Sequence, residues 1–193
     1  MKKGTILLLN GTSSSGKSTL AQELQEILEE PFVHISRDNW LLLFPRKYHI
    51  YDPDPESPRH MLQQRMLPYW GPKLLSGMRH CVAALATVGI NVVVDDLLLE
   101  SNELDEYLTI LQGFPVVLVG LHCPLDELER REQARGDREI GLAREQTEIV
   151  HAFCQYDIEI DTSKRTPQEA ALLIKRFLDQ EKQPAAFDQL RSH

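Results

Sequence analysis

Five short apolar runs recur along the chain, and stretches with a helical spacing of apolar residues lie between them. The runs do not alternate strictly between apolar and polar positions, which is typical of strands that helices cover on both faces. This alternation of strands and helices predicts an α/β fold with a parallel sheet of about five strands flanked by helices. The predicted strands are Thr5–Asn10, Phe32–Ile35, Asn91–Asp95, Val116–Leu121 and Asp157–Ile160.

The intervening stretches predict six helices, because their apolar residues return every three or four positions. The last helix has a clear start, since Thr166 stands at the N-cap, Pro167 at the first helical position and Glu169 completes a capping box. The predicted helices are Ser18–Glu30, a long stretch within Arg65–Val88, Ser101–Gln112, Pro124–Arg135, Gly141–Cys154 and Pro167–Gln180.

The length of 193 residues suits one domain, which we place at residues 1–180. Four prolines interrupt residues 45–60, so we expect an irregular segment there. Residues 181–193 form a polar tail that either frays or extends the last helix.

Net charge, cysteine spacing and the length of the apolar runs exclude several classes of protein and partner. The formal net charge is −8, and the basic residues form no continuous stripe, so nucleic acid is excluded as a main partner. Three cysteines with no CxxC spacing argue against a disulfide framework or a zinc site. No apolar run is long enough for a membrane span or a signal-peptide core. We therefore expect a cytoplasmic protein; a homo-oligomer is compatible with the sequence.

The strongest motif is the segment Gly11-Thr12-Ser13-Ser14-Ser15-Gly16-Lys17-Ser18, which matches GxxxxGK[ST] between a predicted strand and a predicted helix. In such a phosphate loop, backbone amides and the helix N-terminus cradle the phosphates of ATP. Lys17 reaches the β- and γ-phosphates, and the Ser18 hydroxyl binds Mg²⁺. The structural alternative is a Ser/Gly-rich turn before a capped helix. The predicted nucleotide-binding residues are Gly11, Thr12, Ser13, Ser14, Ser15, Gly16, Lys17, Ser18 and Thr19.

Two further carboxylates follow the apolar run Val92-Val93-Val94, namely Asp95 and Asp96. Acids at this position of a neighbouring strand can hold Mg²⁺ beside a triphosphate. The alternative is a strand-end turn in which Asp96 caps the next helix.

Asp38 follows the second predicted strand, in the segment His34-Ile35-Ser36-Arg37-Asp38-Asn39. The carboxyl ends of strands face the ligand crevice in an open α/β sheet. A carboxylate there can accept the proton of a hydroxyl that attacks the γ-phosphoryl group. The alternative is that Asp38 or Ser36 only caps a short helix.

Arginines recur between Arg130 and Arg138 at about one helical turn, with Gly136 interrupting the pattern. This favours a lid, about residues 124–140, in which Arg135 and Arg138 neutralise charge on the transferring phosphoryl group. A solvated helix with Glu–Arg pairs is the competing interpretation.

Together these residues resemble the chloramphenicol phosphotransferase-like proteins, a branch of the P-loop kinases. The resemblance covers Ile6 to about Ala170 and includes the phosphate loop, Asp38, Asp95-Asp96, the run from Ala134 to Arg138 and the run from Val150 to Thr162. It implies a P-loop NTPase fold of the nucleotide-kinase type, ATP as co-substrate and Asp38 as the base toward a primary hydroxyl. It also implies inactivation of an antibiotic by phosphorylation, and a position near the adenine for the loop Thr162–Pro167.

The leading functional hypothesis is therefore an ATP-dependent O-phosphotransferase whose partner is a small hydroxylated molecule, such as chloramphenicol or a related alcohol. A nucleotide or sugar-nucleotide kinase, including toxin-like kinases, and a non-catalytic nucleotide-dependent regulatory module are the alternatives. The resemblance weakens between Phe44 and Trp70, where an acceptor should be recognised. Aromatic residues there either stack on a planar acceptor or simply pack, and they are Trp40, Tyr48, Tyr51, Tyr69 and Trp70.

Overall fold

The fold is built around a five-stranded parallel sheet. A computed structural model describes residues 2–45, 47, 49–50, 65–66, 69–135, 141–180 and 184–191. The strands of the main sheet lie in the order β2-β5-β1-β6-β7, and all four pairings are parallel. These strands are β1 (Ile6–Gly11), β2 (Phe32–Ser36), β5 (Asn91–Asp95), β6 (Val116–His122) and β7 (Ile158–Asp161). Two further strands, β3 (His49–Ile50) and β4 (Arg65–Met66), form a separate antiparallel pair.

Helices cover both faces of the main sheet, and each face buries its own apolar cluster. The side chains of Leu7 and Leu9 on β1 belong to the cluster beneath α1 and α7, whereas Ile6 and Leu8 belong to the opposite one. The predicted α/β architecture is therefore correct. The helices are α1 (Lys17–Ile27), α2 (Arg37–Leu42), α3 (Trp70–Thr87), α4 (Ser101–Ile110), α5 (Leu125–Arg135), α6 (Leu142–Thr147), α7 (Pro167–Asp179) and α8 (Ala186–Arg191).

Most strand positions agree with the sequence prediction, and so does the start of α7. The Thr166 hydroxyl accepts a hydrogen bond from the Glu169 amide, and the Glu169 carboxylate accepts one from the Thr166 amide, as a capping box requires. In the described parts of the chain, no helix combines the length and apolar character that spanning a membrane requires.

Helix α3, Trp70–Thr87, lies within the predicted range Arg65–Val88, and Arg65–Met66 at the start of that range belongs to β4. The prediction for α6 was wrong in extent. Helix α6 ends at Thr147 rather than Cys154; beyond it, the Cys154 amide donates to the His151 carbonyl, and the Val150 carbonyl accepts a hydrogen bond from Asn10 Nδ2 at 2.7 Å. A continued helix would have used that carbonyl for the amide of Cys154.

The C-terminal tail also differs from the prediction. Residues 186–191 form the separate helix α8, which buries Ala186 and Phe187 against the core. The Asp157 carboxylate accepts hydrogen bonds from the backbone amides of Ala185 and Ala186, at 2.7 and 3.0 Å. Two apolar residues and one side-chain acceptor are thus enough to fix a segment whose composition looks polar.

Candidate active site

The candidate site is a cleft of about 450 Å³ at the carboxyl ends of β1, β2 and β5. Of the predicted nucleotide and metal residues, Gly11, Thr12 and Ser15 are outside its lining. Arg138 of the predicted lid lies outside the described residues. The predicted site residues that share the cleft are Ser13, Ser14, Gly16, Lys17, Ser18, Thr19, Asp38, Asp95, Asp96 and Arg135.

The phosphate loop contains two residues in the left-handed backbone region. Gly16 has a φ of 95° and Ser14 a φ of 61°, so both are in the left-handed region. At Gly11, a Cβ atom would lie 2.7 Å from the Leu121 carbonyl oxygen, which explains the glycine at the end of β1. Helix α1 begins at Lys17, directly after this loop, so its N-terminus faces the cleft.

Lys17 and Ser18 contact groups around this loop. The Lys17 ammonium donates to the carbonyls of Gly11 and Thr12 at 2.8 and 2.9 Å, and lies 4.0 Å from Asp95. The Ser18 hydroxyl donates to Asp95 Oδ2 at 2.5 Å. Burial raises the pKa of Asp95, but His34, Lys17 and Ser18 together outweigh it, so this pKa lies below its ordinary value. Asp95 is therefore an ionised oxygen donor beside the phosphate loop.

Asp96 faces a different set of partners and is completely buried. One of its oxygens accepts from Arg37 Nη1 at 3.1 Å and from its neighbour's amide, Leu97, at 2.8 Å. The other accepts from the Tyr107 hydroxyl at 2.9 Å. Burial and the charge of Asp96 raise the pKa of Tyr107, so this hydroxyl keeps its proton and donates. Asp96 thus fixes Arg37 and α4, and the alternative in which it caps the next helix does not hold because Glu100 is the N-cap of α4.

Asp38 lies in the first turn of α2 and is exposed to the cleft. Ser36 occupies the N-cap position of this helix, but its side chain makes no capping hydrogen bond. The short helix that the sequence analysis gave as the alternative is therefore present, but the Ser36 side chain does not cap it. The negative charge of Asp38 in a first turn is favourable to the helix dipole and leaves its carboxylate facing the cleft.

The predicted lid begins with α5, and its Arg131 connects three parts of the molecule. Arg131 donates to the Thr162 carbonyl at 2.8 Å, to the Ser14 carbonyl at 3.4 Å and to Glu127 at 2.8 Å. Arg135, at the end of α5, lines both the main cleft and a second cleft of about 430 Å³. The sequence singled out Arg135 and passed over Arg131, since equal spacing along a helix does not tell which arginine faces the loop. The second cleft is lined by Ser14, Ser15, Gly16, Thr19, Arg130, Arg131, Ala134, Arg135, Thr162, Arg165 and Pro167.

A buried polar connection runs from α5 through α6 to the phosphate loop, and the sequence analysis missed it. Glu132, fully buried, accepts from the amides of Gly141 and Ala143 at 3.1 and 2.8 Å. Gln146 on α6 then accepts from the Ser13 amide at 2.7 Å. The only sequence signal was a pair of polar residues at positions where the helical pattern predicts burial.

A second polar chain supports β1 from below the loop. Asn10 donates to the Tyr156 hydroxyl at 2.8 Å, and that hydroxyl lies 2.6 Å from His151 Nδ1. Burial, with the nearby His122 and Lys17, lowers the pKa of His151 to about 4. The ring is therefore neutral at pH 7, and its Nδ1 accepts a hydrogen bond from the Tyr156 hydroxyl. These contacts give His151 a structural role.

The aromatic residues of the acceptor region divide between packing and exposure. Trp40 packs against the apolar core and donates from Nε1 to the Leu74 carbonyl at 2.9 Å, so its role is packing. Trp70 contacts Phe44 with ring centres 5.7 Å apart, and Tyr69 remains 62% exposed. Tyr48 and Tyr51 lie outside the described residues.

Solved structures with this arrangement are P-loop kinases, which confirms the predicted fold. An APS kinase from Mycobacterium tuberculosis, in complex with AMPPNP and APS, gives a TM-score of 0.65 at 18% identity and covers 93% of this chain and 99% of its own. A sugar kinase from Janibacter sp. HTCC2649 gives the same TM-score and identity, with 92% and 95% covered. At such low identity these two structures support the fold alone.

Sequence comparison gives the family. The chain matches the model of the chloramphenicol phosphotransferase-like proteins over residues 4–179 and therefore belongs to that family, as the resemblance predicted. It is also 32% identical to a Mycobacterium tuberculosis (strain H37Rv) protein named as a candidate O-phosphotransferase, over 99% of this chain and 89% of that one. The class of enzyme is thus a phosphotransferase with the fold of a P-loop kinase.

Proposed function

We propose that the protein transfers the γ-phosphoryl group of ATP to a hydroxyl group of a small molecule. The observation that carries the proposal is one cleft with two kinds of wall. Lys17, Ser18 and Asp95 line it beside the phosphate loop, and Asp38 lines it from α2. Attack of a hydroxyl on a phosphoryl group needs one set of groups that binds the triphosphate and a base for the hydroxyl, both within one cleft.

The triphosphate would bind along the phosphate loop, where the N-terminus of α1 and the Lys17 ammonium supply positive charge. Arg135 lines both clefts, a position that suits a group neutralising the equatorial oxygens of the moving phosphoryl group. The second cleft, between Arg131 and the loop after β7, suits the nucleoside part of ATP. Arginine planes of this kind stack on flat rings.

The oxygen donors near Lys17 fit Mg²⁺. A hydroxyl from Ser18 and a carboxylate from Asp95 are hard ligands, and they already contact each other. Among the described residues, no group of three or more His, Cys, Asp or Glu side chains could hold a metal alone. That agrees with an ion held by one or two protein groups together with phosphate oxygens and water. When bound, Mg²⁺ would neutralise charge on the β- and γ-phosphates. Asp95 is the better candidate of the two aspartates, since Asp96 is committed to Arg37 and Tyr107.

Asp38 would accept the proton of the acceptor hydroxyl while the new O–P bond forms and the bond from phosphorus to the ADP oxygen breaks. The exposed carboxylate in the first turn of α2 supports this role, because it is open to an acceptor entering from the cleft. The proton therefore ends on Asp38 and the phosphoryl group on the acceptor.

The test is transfer from labelled ATP with Mg²⁺ to a panel of small alcohols that includes chloramphenicol, followed by mass spectrometry of the products. We expect Asp38→Asn to lower turnover by about 10²- to 10⁴-fold while nucleotide affinity stays within twofold. Asp105→Asn, an exposed acid on α4, is the matched control and should behave as wild type. Unchanged turnover in Asp38→Asn would reject the base. Slow hydrolysis of ATP, with no phosphorylated product from an untargeted metabolite mixture, would favour a regulatory module instead.

A further inference from the structure

Arg37, the residue before the proposed base, lines the same cleft, and only one nitrogen of its guanidinium is used in hydrogen bonds to the part of the protein that the structure describes. Its side chain is 19% exposed, although it forms ion pairs with two carboxylates, those of Asp96 and Glu103. Both residues of the pair Arg37-Asp38 thus border the space that an acceptor would enter.

All hydrogen bonds of the Arg37 guanidinium within the described residues start from a single nitrogen. Nη1 contacts Asp96 at 3.1 Å, the Leu97 carbonyl at 2.7 Å and Glu103 at 3.0 Å. A guanidinium has five N–H donors, so the N–H groups on Nε and Nη2 are left for another acceptor. These nitrogens are not sealed in the interior, in contrast to Nε of the neighbouring Arg79, which is buried without a partner in the described structure.

The orientation of this guanidinium is fixed by partners that are themselves fixed. Asp96 is held by Tyr107, and Glu103 is held by Arg79 at 2.9 Å and by its capping box at the start of α4. A donor pair that is already oriented loses little conformational freedom when it binds a ligand.

The charge of Arg37 is more than balanced by its surroundings. The connected groups are two guanidiniums, those of Arg37 and Arg79, and three carboxylates, those of Asp96, Glu103 and Glu106. Asp38 adds another negative charge on the cleft side. The group around Arg37 therefore carries no net positive charge of its own, and the free edge of Arg37 offers directed N–H donors there; the positive charge of the cleft comes instead from Lys17 and Arg135.

We propose that Arg37 determines acceptor specificity: its Nε and Nη2 donors bind a neutral oxygen of the acceptor, a hydroxyl or a carbonyl, close to the hydroxyl that Asp38 deprotonates. The acceptor class is then a neutral polyoxygenated molecule with at least two neighbouring oxygens. A simple monoalcohol, or an acceptor already carrying a phosphate as in a nucleotide kinase, fits less well. This inference rests on the proposed function and specifies its acceptor.

The experiment uses matched trios of acceptors: an alcohol, its analogue without one neighbouring hydroxyl, and its monophosphate. Chloramphenicol, D-ribose and D-glucose are the parent probes, and wild-type protein is assayed with ATP and Mg²⁺. For the parent that is accepted, we expect the deoxy analogue to lose about 10- to 100-fold in kcat/KM, the scale of two hydrogen bonds, and the monophosphate to be a poorer acceptor than the parent.

Arg37→Lys keeps a positive charge beside Asp96 and Glu103 but removes the N–H donors of Nε and Nη2. For the parent acceptor, we expect this variant to lose about as much kcat/KM as wild type loses on the deoxy analogue, mainly through a higher KM for the acceptor, with KM for ATP unchanged. For the deoxy analogue, we expect the variant and wild type to have the same kcat/KM. Arg176→Lys, at an exposed position of α7, is the matched control. Because the analogue series needs only wild-type protein, it decides the matter even if the variant does not fold.

An equal loss on parent and deoxy analogue in Arg37→Lys, no effect of the missing hydroxyl in wild type, or preference for the monophosphate would each overturn the proposal. Absence of transfer to every probe and to a metabolite extract, while ATP still binds, would instead reject the proposed phosphotransferase function itself.

Discussion

The two sides of the cleft are built in different ways. The proposed phosphate side is built on one continuous segment, Gly11–Ser18, beside which Asp95 and Arg135 lie. The proposed acceptor side brings together side chains from α2, from the loop after β5 and from α4, which meet only in the fold. A site built on one segment can be recognised from a local pattern, whereas a site built from distant side chains depends on packing that no local pattern specifies.

Loss of the Lys17 ammonium should damage the proposed phosphate side more than any other single change. We expect Lys17→Ala to lower both nucleotide affinity and turnover, with turnover falling by about 10³-fold, since one positive charge at the transferring phosphoryl group is lost. Calorimetry with Mg²⁺–ATP and the labelled transfer assay measure the two quantities. Lys175→Ala, on α7 and outside the lining of both clefts, is the control. If only turnover falls, the phosphate side does not depend on Lys17 for binding.

The adjacent aspartates provide the next test, since they should fail in opposite ways. We expect Asp95→Asn to reduce Mg²⁺-dependent transfer by about 10²-fold and to lower the free energy of unfolding by less than Asp96→Asn does. Asp96→Asn should lower the free energy of unfolding by about 3 kcal/mol, because a buried charge partner of Arg37 is lost. Urea denaturation and transfer assays on both variants compare them directly. Equal effects of the two variants on stability would remove the distinction.

Acid should weaken the support of the phosphate side through His151. Its pKa of about 4 in the fold lies below the ordinary value of 6.5, so the unfolded chain takes up its proton first as pH falls. Stability from this group is complete above pH 6.5, declines between pH 6.5 and 4, and changes no further below that. We expect a loss of roughly 2 kcal/mol across this window, after a discount for partial exposure.

Urea unfolding at a series of pH values measures this slope. His151→Gln, which can accept the Tyr156 proton but does not titrate, should flatten the window, while the exposed His80→Gln should leave it unchanged. A slope that survives in His151→Gln would assign the titration to another group.

The smallest expected effect concerns Gln146. Removing its side chain leaves the Ser13 amide without its 2.7 Å acceptor, so the phosphate loop is less well fixed. We expect Gln146→Ala to weaken Mg²⁺–ATP binding by about fivefold, the scale of one hydrogen bond, while acceptor KM remains unchanged. Gln189→Ala on α8 is the control. A change confined to KM for the acceptor would contradict the assignment of Gln146 to the support of the phosphate loop.

The comparison also explains what the sequence could predict. The strands, the phosphate loop and the capping box of α7 follow from local patterns of a few residues, and each was found. The non-helical segment after Thr147 could not be found that way, because its contacts include a hydrogen bond from Asn10, 140 positions earlier, to the Val150 carbonyl. The different partners of Asp95 and Asp96 likewise depend on Arg37 and Tyr107, which reach them only through the packing of α2 and α4.

The two tryptophans of the chain, Trp40 and Trp70, lie outside the cleft lining, one on α2, which carries Arg37 and Asp38, and the other at the start of α3, which packs against α2. The protein therefore carries its own optical reporter for one half of the reaction. Intrinsic fluorescence should respond to the entry of an acceptor more than to the arrival of nucleotide. A library of unlabelled compounds can thus be screened by emission alone, before any chemistry takes place.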